Sequence, residues 1–165
     1  VGDGATGVDD FVADTTVESD LELLLPADYV PQESERISLY RELDSIERQD
    51  DLDAFAARLV DRFGPIPAVA RELLLVPRLR RDARRLGIEK VVLKNGKMYT
   101  YFVDASNVAY YQSAMFGRML SYLNLNSRRV HIRENAGRRS FVIDAVPTVH
   151  DAVSALETAL ALPVS

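Results

Sequence analysis

The run Leu59-Val60-Asp61-Arg62-Phe63-Gly64-Pro65-Ile66-Pro67 marks the point where one amphipathic helix ends and the next begins. Gly64 stands where a helix needs a left-handed residue past its last turn. Pro65 and Pro67 cannot prolong the helix before them but can open the one that follows. Upstream, Leu52, Phe55, Ala56, Leu59 and Phe63 recur at i, i+3, i+4 and i+7, which predicts a helix with one buried side. Asp50 or Asp51 is placed to cap that helix and to favour its positive end. The segment therefore reads as a helical hairpin, and nothing near it looks like catalytic chemistry.

Working outward, Ser34 is an N-cap candidate for an earlier helix whose stripe is Ile37, Tyr40, Leu43 and Ile46. A third helix is expected from Pro67 to Leu86, closed by Gly87, with Val69, Leu73, Val76 and Ala83 as its buried line. Pro77 removes a backbone donor inside it and predicts a kink or a break into two shorter helices. Residues 1–20, rich in Gly, Asp, Thr and Val, read as a linker. Asp20 to Leu25 suits a short strand, and Pro26 and Pro31 bracket Tyr29 and Val30 in extended chain.

Beyond residue 87 the pattern turns to strands. Asn95-Gly96 is the strongest short hairpin signal, because both central residues of a type I′ turn need positive φ. It pairs Leu93 with Met98 and Val92 with Tyr99, and apolar side chains on both faces imply that both are covered. Ser113 caps a helix carrying Met115, Phe116, Met119, Leu120 and Leu123. Arg128–Arg133 and Arg138–Val146 form a second hairpin around Gly137. A last helix starts at Thr148, with Asp151 as a short capping-box partner and Val149, Ala152, Val153, Leu156 and Leu160 on its apolar face. The expected class is α+β: N-terminal helices packed on a mostly antiparallel sheet, with further helices, residues 21–165 forming a single domain.

A chain of 165 residues with 47% hydrophobic and 27% charged residues can bury an ordinary core. No apolar run approaches the roughly 20 residues that a membrane span needs. The chain starts at Val1 without a signal-peptide pattern, which is expected of a cut inside a longer protein. With no cysteine, thiolate and disulfide chemistry are excluded, in keeping with a reducing cytoplasm. Residues 1–63 hold five basic and seventeen acidic side chains, and residues 64–165 hold fifteen and eight. Either the acids lie on solvated faces and in the tail, or the two halves recognise different partners.

Little in the sequence points to a reaction. His131 and His150 lack metal-ligand spacing, and Asp50, Asp51 and Asp53 lack the Gly and terminal Glu of a calcium loop. No phosphate loop, zinc motif or nucleophile elbow occurs, so neither a cofactor nor an enzymatic activity is expected. Arg78, Arg81 and Arg85 fall on one face of the third helix, within a cluster that includes Arg80 and Arg84, and could meet phosphates. Tyr99, Tyr101, Phe102, Tyr110 and Tyr111 read either as stacking platforms or as packing residues. A sequence pI near 5.1 argues mildly against a dedicated nucleic-acid domain.

Leu25-Pro26-Ala27-Asp28-Tyr29-Val30-Pro31, then Arg36-Ile37-Ser38-Leu39-Tyr40-Arg41, then Leu59 to Pro67, then Leu79-Arg80 and Leu86-Gly87-Ile88 occur in this order. Together they resemble the C-terminal domain of bacterial transcription-repair coupling factors over residues 21–162, with Pro77 a departure from the pattern. The resemblance implies a non-catalytic regulatory clamp within an ATP-driven DNA translocase that displaces stalled RNA polymerase and recruits excision repair. Such a clamp docks on an upstream repair-recruiting module of its own chain and masks that module's site for the damage-recognition ATPase. DNA and RNA polymerase would be engaged through other domains of the parent. The docking candidates are Asp53, Arg58, Asp61 and Arg62, on the side of the second helix opposite its apolar stripe. The competing role for Asp61 or Arg62 is to tie down the Gly64 turn. The runner-up function is an accessory DNA-binding module built on Arg78, Arg81 and Arg85.

Overall fold

A computed structural model describes residues 11–163. They form two compact units: Leu21–Arg78, and the residues up to Asp20 together with Leu79 onward.

The first unit is helical. It comprises α1 (Glu33–Ser45), α2 (Gln49–Phe63) and α3 (Ala68–Leu74), and α4 (Val76–Arg85) begins within it. Leu43, Leu52, Phe55, Leu59, Ala70 and Leu74 share one core, joined by Leu25, Tyr29 and Val30. The α2 stripe is thus as the spacing predicts. Asp50 and Asp51 lie in the first turn, where they favour the helix dipole, but neither caps it, since Arg48 holds the N-cap position. Ser34 likewise lies inside α1, behind Gln32 at the cap. Of the expected α1 stripe, Ile37 is 44% exposed, and Leu39 packs on the core beside Tyr40 instead.

Gly64 holds φ at +88° and its amide donates to the Val60 carbonyl, which ends α2 as the sequence predicts. The side chain that secures this turn is Tyr29. Its hydroxyl donates to the carbonyls of Gly64 (2.7 Å) and Leu59 (3.2 Å). Asp20 to Leu25, expected as a short strand, forms none, and between Pro26 and Pro31 the chain turns rather than extends, the Tyr29 and Val30 amides both donating to the Pro26 carbonyl. The Leu25–Pro31 run is anchored by the Leu25 amide donating to the Tyr40 hydroxyl (2.8 Å) and by Arg36 donating to the Val30 carbonyl (2.7 Å).

The expected third helix is two helices, α3 and α4, separated at Leu75. Pro77 has no amide to give the Leu73 carbonyl and its ring would collide there, but it is tolerated in the first turn of a new helix. The break rotates the buried line. Val69, Leu73 and Val76 are only half-buried, whereas Ala70, Leu74, Leu79, Ala83 and Leu86 are buried.

The second unit is built on a five-stranded sheet in the order β1-β2-β3-β5-β4. The strands are β1 (Thr16–Ser19), β2 (Ile88–Lys94), β3 (Lys97–Phe102), β4 (Val130–Asn135) and β5 (Arg138–Ile143). Only β1 and β2 pair in parallel. Asn95 and Gly96 both hold positive φ, and Leu93 pairs with Met98 and Val92 with Tyr99, as expected. Three helices belong to this unit: α5 (Val108–Tyr111), α6 (Ala114–Leu125) and α7 (Val149–Leu160). Ser113 caps α6 and Thr148 caps α7, the latter's hydroxyl also bonding the Asp151 carboxylate at 2.8 Å. On α6, Leu120 is 38% exposed and Tyr122 takes the buried position. Phe102 centres the core, its ring 5.0 Å from Phe141 and 5.8 Å from Phe116, both edge-on. The architecture is α+β with a mostly antiparallel sheet and further helices, as the sequence predicts.

Two further expectations differ from the structure. Thr16–Ser19, placed in the linker, form edge strand β1, held by pairing with β2 and by the Thr15 hydroxyl on the Ile88 carbonyl (2.7 Å). Residues 1–10 of that linker lie outside the described residues. The sheet is also not covered equally on both faces: Val91, Leu93, Met98 and Thr100 are buried, whereas Val92, Tyr99 and Tyr101 are half-buried.

Candidate functional site

The side of α2 away from its core carries the four docking candidates, and the structure divides them into two pairs. Arg58 forms an ion pair with Glu42 of α1, and Arg62 forms one with Glu35 of the same helix. The Arg58 guanidinium also lies 5.5 Å from the Phe55 ring centroid, and that of Arg62 lies 4.8 Å from Phe63. The hydrogen bond with Glu42 holds the Arg58 pKa above its ordinary value. Both arginines thus lean onto α1 and stitch the first two helices together.

Asp53 and Asp61 remain on the exposed side with Ala57 and Val60, and Val60 is 49% exposed. Asp53 accepts a 2.8 Å hydrogen bond from the Gln49 amide. Asp61 makes no hydrogen bond or ion pair among the described residues, and neither it nor Arg62 secures the Gly64 turn, which Tyr29 does. The surface is therefore an apolar side chain flanked by carboxylates. The ion pair with Glu42 offsets the Arg58 cation on this side of the helix. Glu35 and Glu42 escaped the sequence reading, because only the register between α1 and α2 brings them opposite the arginines.

The α4 arginines are less uniform than their spacing implies. Arg85 is exposed, but Arg78 and Arg81 are half-buried, and the Arg81 Nε lies 4.0 Å from the buried Asp82 carboxylate. Arg84 is turned inward, its Nε donating to the Val12 carbonyl at 3.0 Å. Among the five aromatics, Phe102 and Tyr110 are fully buried, and Tyr110 donates its hydroxyl to the Leu86 carbonyl. Tyr111 donates to the Val103 carbonyl, with the Arg139 guanidinium 4.4 Å from its ring centroid. Those three are packing residues, and only Tyr99 and Tyr101 lie on the half-exposed sheet face.

His131 is exposed, with its Nε2 2.9 Å from the Asp144 carboxylate; that bond and the nearby Lys97 ammonium hold the Asp144 pKa below its usual range. Among the described residues, no group of three or more His, Cys, Asp or Glu is placed to hold a metal ion, and no helix is long and apolar enough to cross a membrane.

The family model for the TRCF domain matches residues 19–113, more than half of the chain and all of α1 to α4 with the first hairpin. The chain belongs to the TRCF domain family. Similar curated proteins carry the name transcription-repair-coupling factor. That of Escherichia coli (strain K12) is 40% identical over 77 residues, covering 47% of this chain and 7% of the relative. That of Rickettsia prowazekii (strain Madrid E) is 25% identical over 116 residues, covering 70% of this chain and 10% of the relative. This TRCF-domain chain thus spans about a tenth or less of the length of those proteins. A crystal structure of the C-terminal domain of transcription-repair coupling factor has the same fold, with a TM-score of 0.70 at 19% identity, covering 89% of this chain and 93% of that one.

Proposed function

We propose that residues 21–165 act as a non-catalytic autoinhibitory domain of a cytoplasmic, ATP-dependent DNA translocase in transcription-coupled repair. The domain docks on the repair-recruiting module upstream in its own chain and masks that module's site for the damage-recognition ATPase. RNA polymerase and DNA are met by other parts of the parent. Docking and release form a two-state equilibrium that the motor's state biases.

The observation that carries this reading is the division on α2. Arg58 and Arg62 are spent on α1, which leaves Val60, Asp53 and Asp61 as an acid-flanked apolar surface suited to a basic partner. The test is a double variant, Asp53→Ala with Asp61→Ala, made in the full-length parent. If the carboxylates are desolvated on docking, their loss weakens it by about 1–3 kcal/mol. The parent's affinity for the damage-recognition ATPase then rises, and an unchanged affinity with an intact fold removes this face. The rival reading, a duplex-binding module on α4, requires tight duplex binding that Arg85→Ala weakens.

A further inference from the structure

The half-exposed face of the sheet carries a pattern that the clamp role does not use. Strand register aligns its side chains in rows. One row runs Lys90, Tyr101, Ser140, Arg133 from β2 to β4, and the next runs Val92, Tyr99, Val142, His131. The two tyrosines therefore sit side by side on the central strand, about 7 Å apart along it. Each pairs with a smaller, buried residue on β5, Ser140 or Val142, so the half-buried rings are the large side chains at the centre of this face.

Cations surround these rings. Lys90 and Arg133 close the ends of the Tyr101 row, about 14 Å apart across three strand spacings. Lys94 and Lys97 pair opposite one another at the hairpin end. The Arg138 guanidinium lies 5.9 Å from the Tyr101 ring centroid. Against these five cations the same face offers the carboxylates of Glu18 and Asp144, which reach Lys90 (3.3 Å) and Lys97 (3.5 Å), and that of Asp20, which accepts from the Asn95 amide at 3.0 Å. Arg138 is met by Glu89 at 3.2 Å. Lys94 and Arg133 have no carboxylate partner among the described residues. The opposite face of β2, β3 and β5 carries core residues, among them Val91, Leu93, Met98, Phe141 and Ile143, whereas towards β4 it is exposed at Ile132 and holds the Arg139–Glu134 ion pair.

We infer that this face binds single-stranded nucleic acid, stacking unpaired bases on Tyr99 and Tyr101 while the surrounding cations meet phosphates. Half-buried rings offer a face to a base that has left its duplex and offer nothing to bases still stacked inside one. A broad, shallow sheet cannot enter a duplex groove, and an acidic peptide would meet the cations without using the rings. The length engaged is short, about two or three nucleotides.

The test titrates the full 165-residue chain into fluorescein-labelled dodecathymidylate and follows anisotropy over a salt series. Binding is expected to fall with a log–log salt slope of roughly −1.4 to −2.8, for about two to four phosphates met on a single strand. Tyr99→Ala and Tyr101→Ala each weaken it roughly five- to a hundred-fold, whereas Tyr99→Phe, which keeps the ring, changes it by less than about two-fold. Arg133→Ala flattens the slope by about 0.7, and Arg85→Ala on α4 leaves binding unchanged. The inference is overturned by absence of binding at about 50 mM salt, by equal affinity for the matching duplex or for polyglutamate, or by alanine variants that keep both their circular dichroism and their affinity.

Discussion

A Cβ built on Gly87 would lie 2.1 Å from Cε1 of Tyr110, and the residue holds φ at +81°. The ring cannot retreat, because Tyr110 is fully buried and its hydroxyl is bonded to the Leu86 carbonyl. Gly87→Ala is therefore expected to cost about 2–4 kcal/mol, combining left-handed strain with overpacking. Gly96→Ala, with nothing within 4 Å, carries the strain alone, about 1 kcal/mol. Urea unfolding of the two variants checks the order. Tyr110 also sets an alkaline limit. Burial pushes its pKa far above the ordinary value, and burial raises those of Tyr29 and Tyr122 as well. The folded chain thus keeps phenol protons that the unfolded chain releases near pH 10. Stability is fully present below that pH and falls above it, by about 1.4 kcal/mol per pH unit for Tyr110, whose shift is the large one. Tyr110→Phe should make the decline shallower when unfolding is followed between about pH 9 and 11.5.

At the scale of elements, the two hairpins invite comparison. Both turn through two consecutive residues of positive φ, Asn95-Gly96 in one and Ala136-Gly137 in the other. Asn tolerates that conformation and Ala does not, so Ala136→Asn should raise stability by about 1 kcal/mol, read as a higher melting temperature. The contrast also explains what the sequence disclosed. The hairpin with the strong turn signal was legible to the residue pair, and so were the α2 stripe, the Gly64 stop and the Ser113 and Thr148 caps. Each of these is a local device whose cause lies within a few residues. What escaped depends on distant partners: β1 forms because β2 is there to receive it, and the α3–α4 buried line turns because Pro77 resets the helix phase. The candidate site was legible to the same extent. Helical spacing placed Asp53, Arg58, Asp61 and Arg62 on one exposed side, but not the Glu35 and Glu42 partners that divide them. Arg62→Ala should accordingly cost little stability, about 0–1 kcal/mol in a urea titration, because the arginine of the pair is largely exposed.

For the whole molecule, charge follows architecture. Residues 21–78 hold seven basic and twelve acidic side chains, and residues 79–165 hold thirteen and seven. The acid-flanked surface of α2 belongs to the first set, and the cation-ringed tyrosines belong to the second. If the two surfaces serve separate partners, their variants should not cross over. Asp53→Ala with Asp61→Ala should leave oligothymidylate affinity unchanged, and Tyr99→Ala should leave affinity for the repair-recruiting module unchanged. Measuring both affinities for both variants tests that independence.

Strands β1 and β2 lie side by side, yet the whole of α1 to α4 separates them in the chain. The consequence is one of order in time. The β2–β3 hairpin closes over two residues, whereas β1 must wait for the chain from residue 20 to residue 87 to bring its ends together. Loop-closure entropy makes that step about 3 kcal/mol more costly. Edge strand β1 should therefore join last during folding and open first afterwards. In native-state hydrogen exchange the amides of Thr16–Ser19 should lose protection well before those of Val91–Leu93. Equal protection would mean that β1 opens only when the whole sheet does.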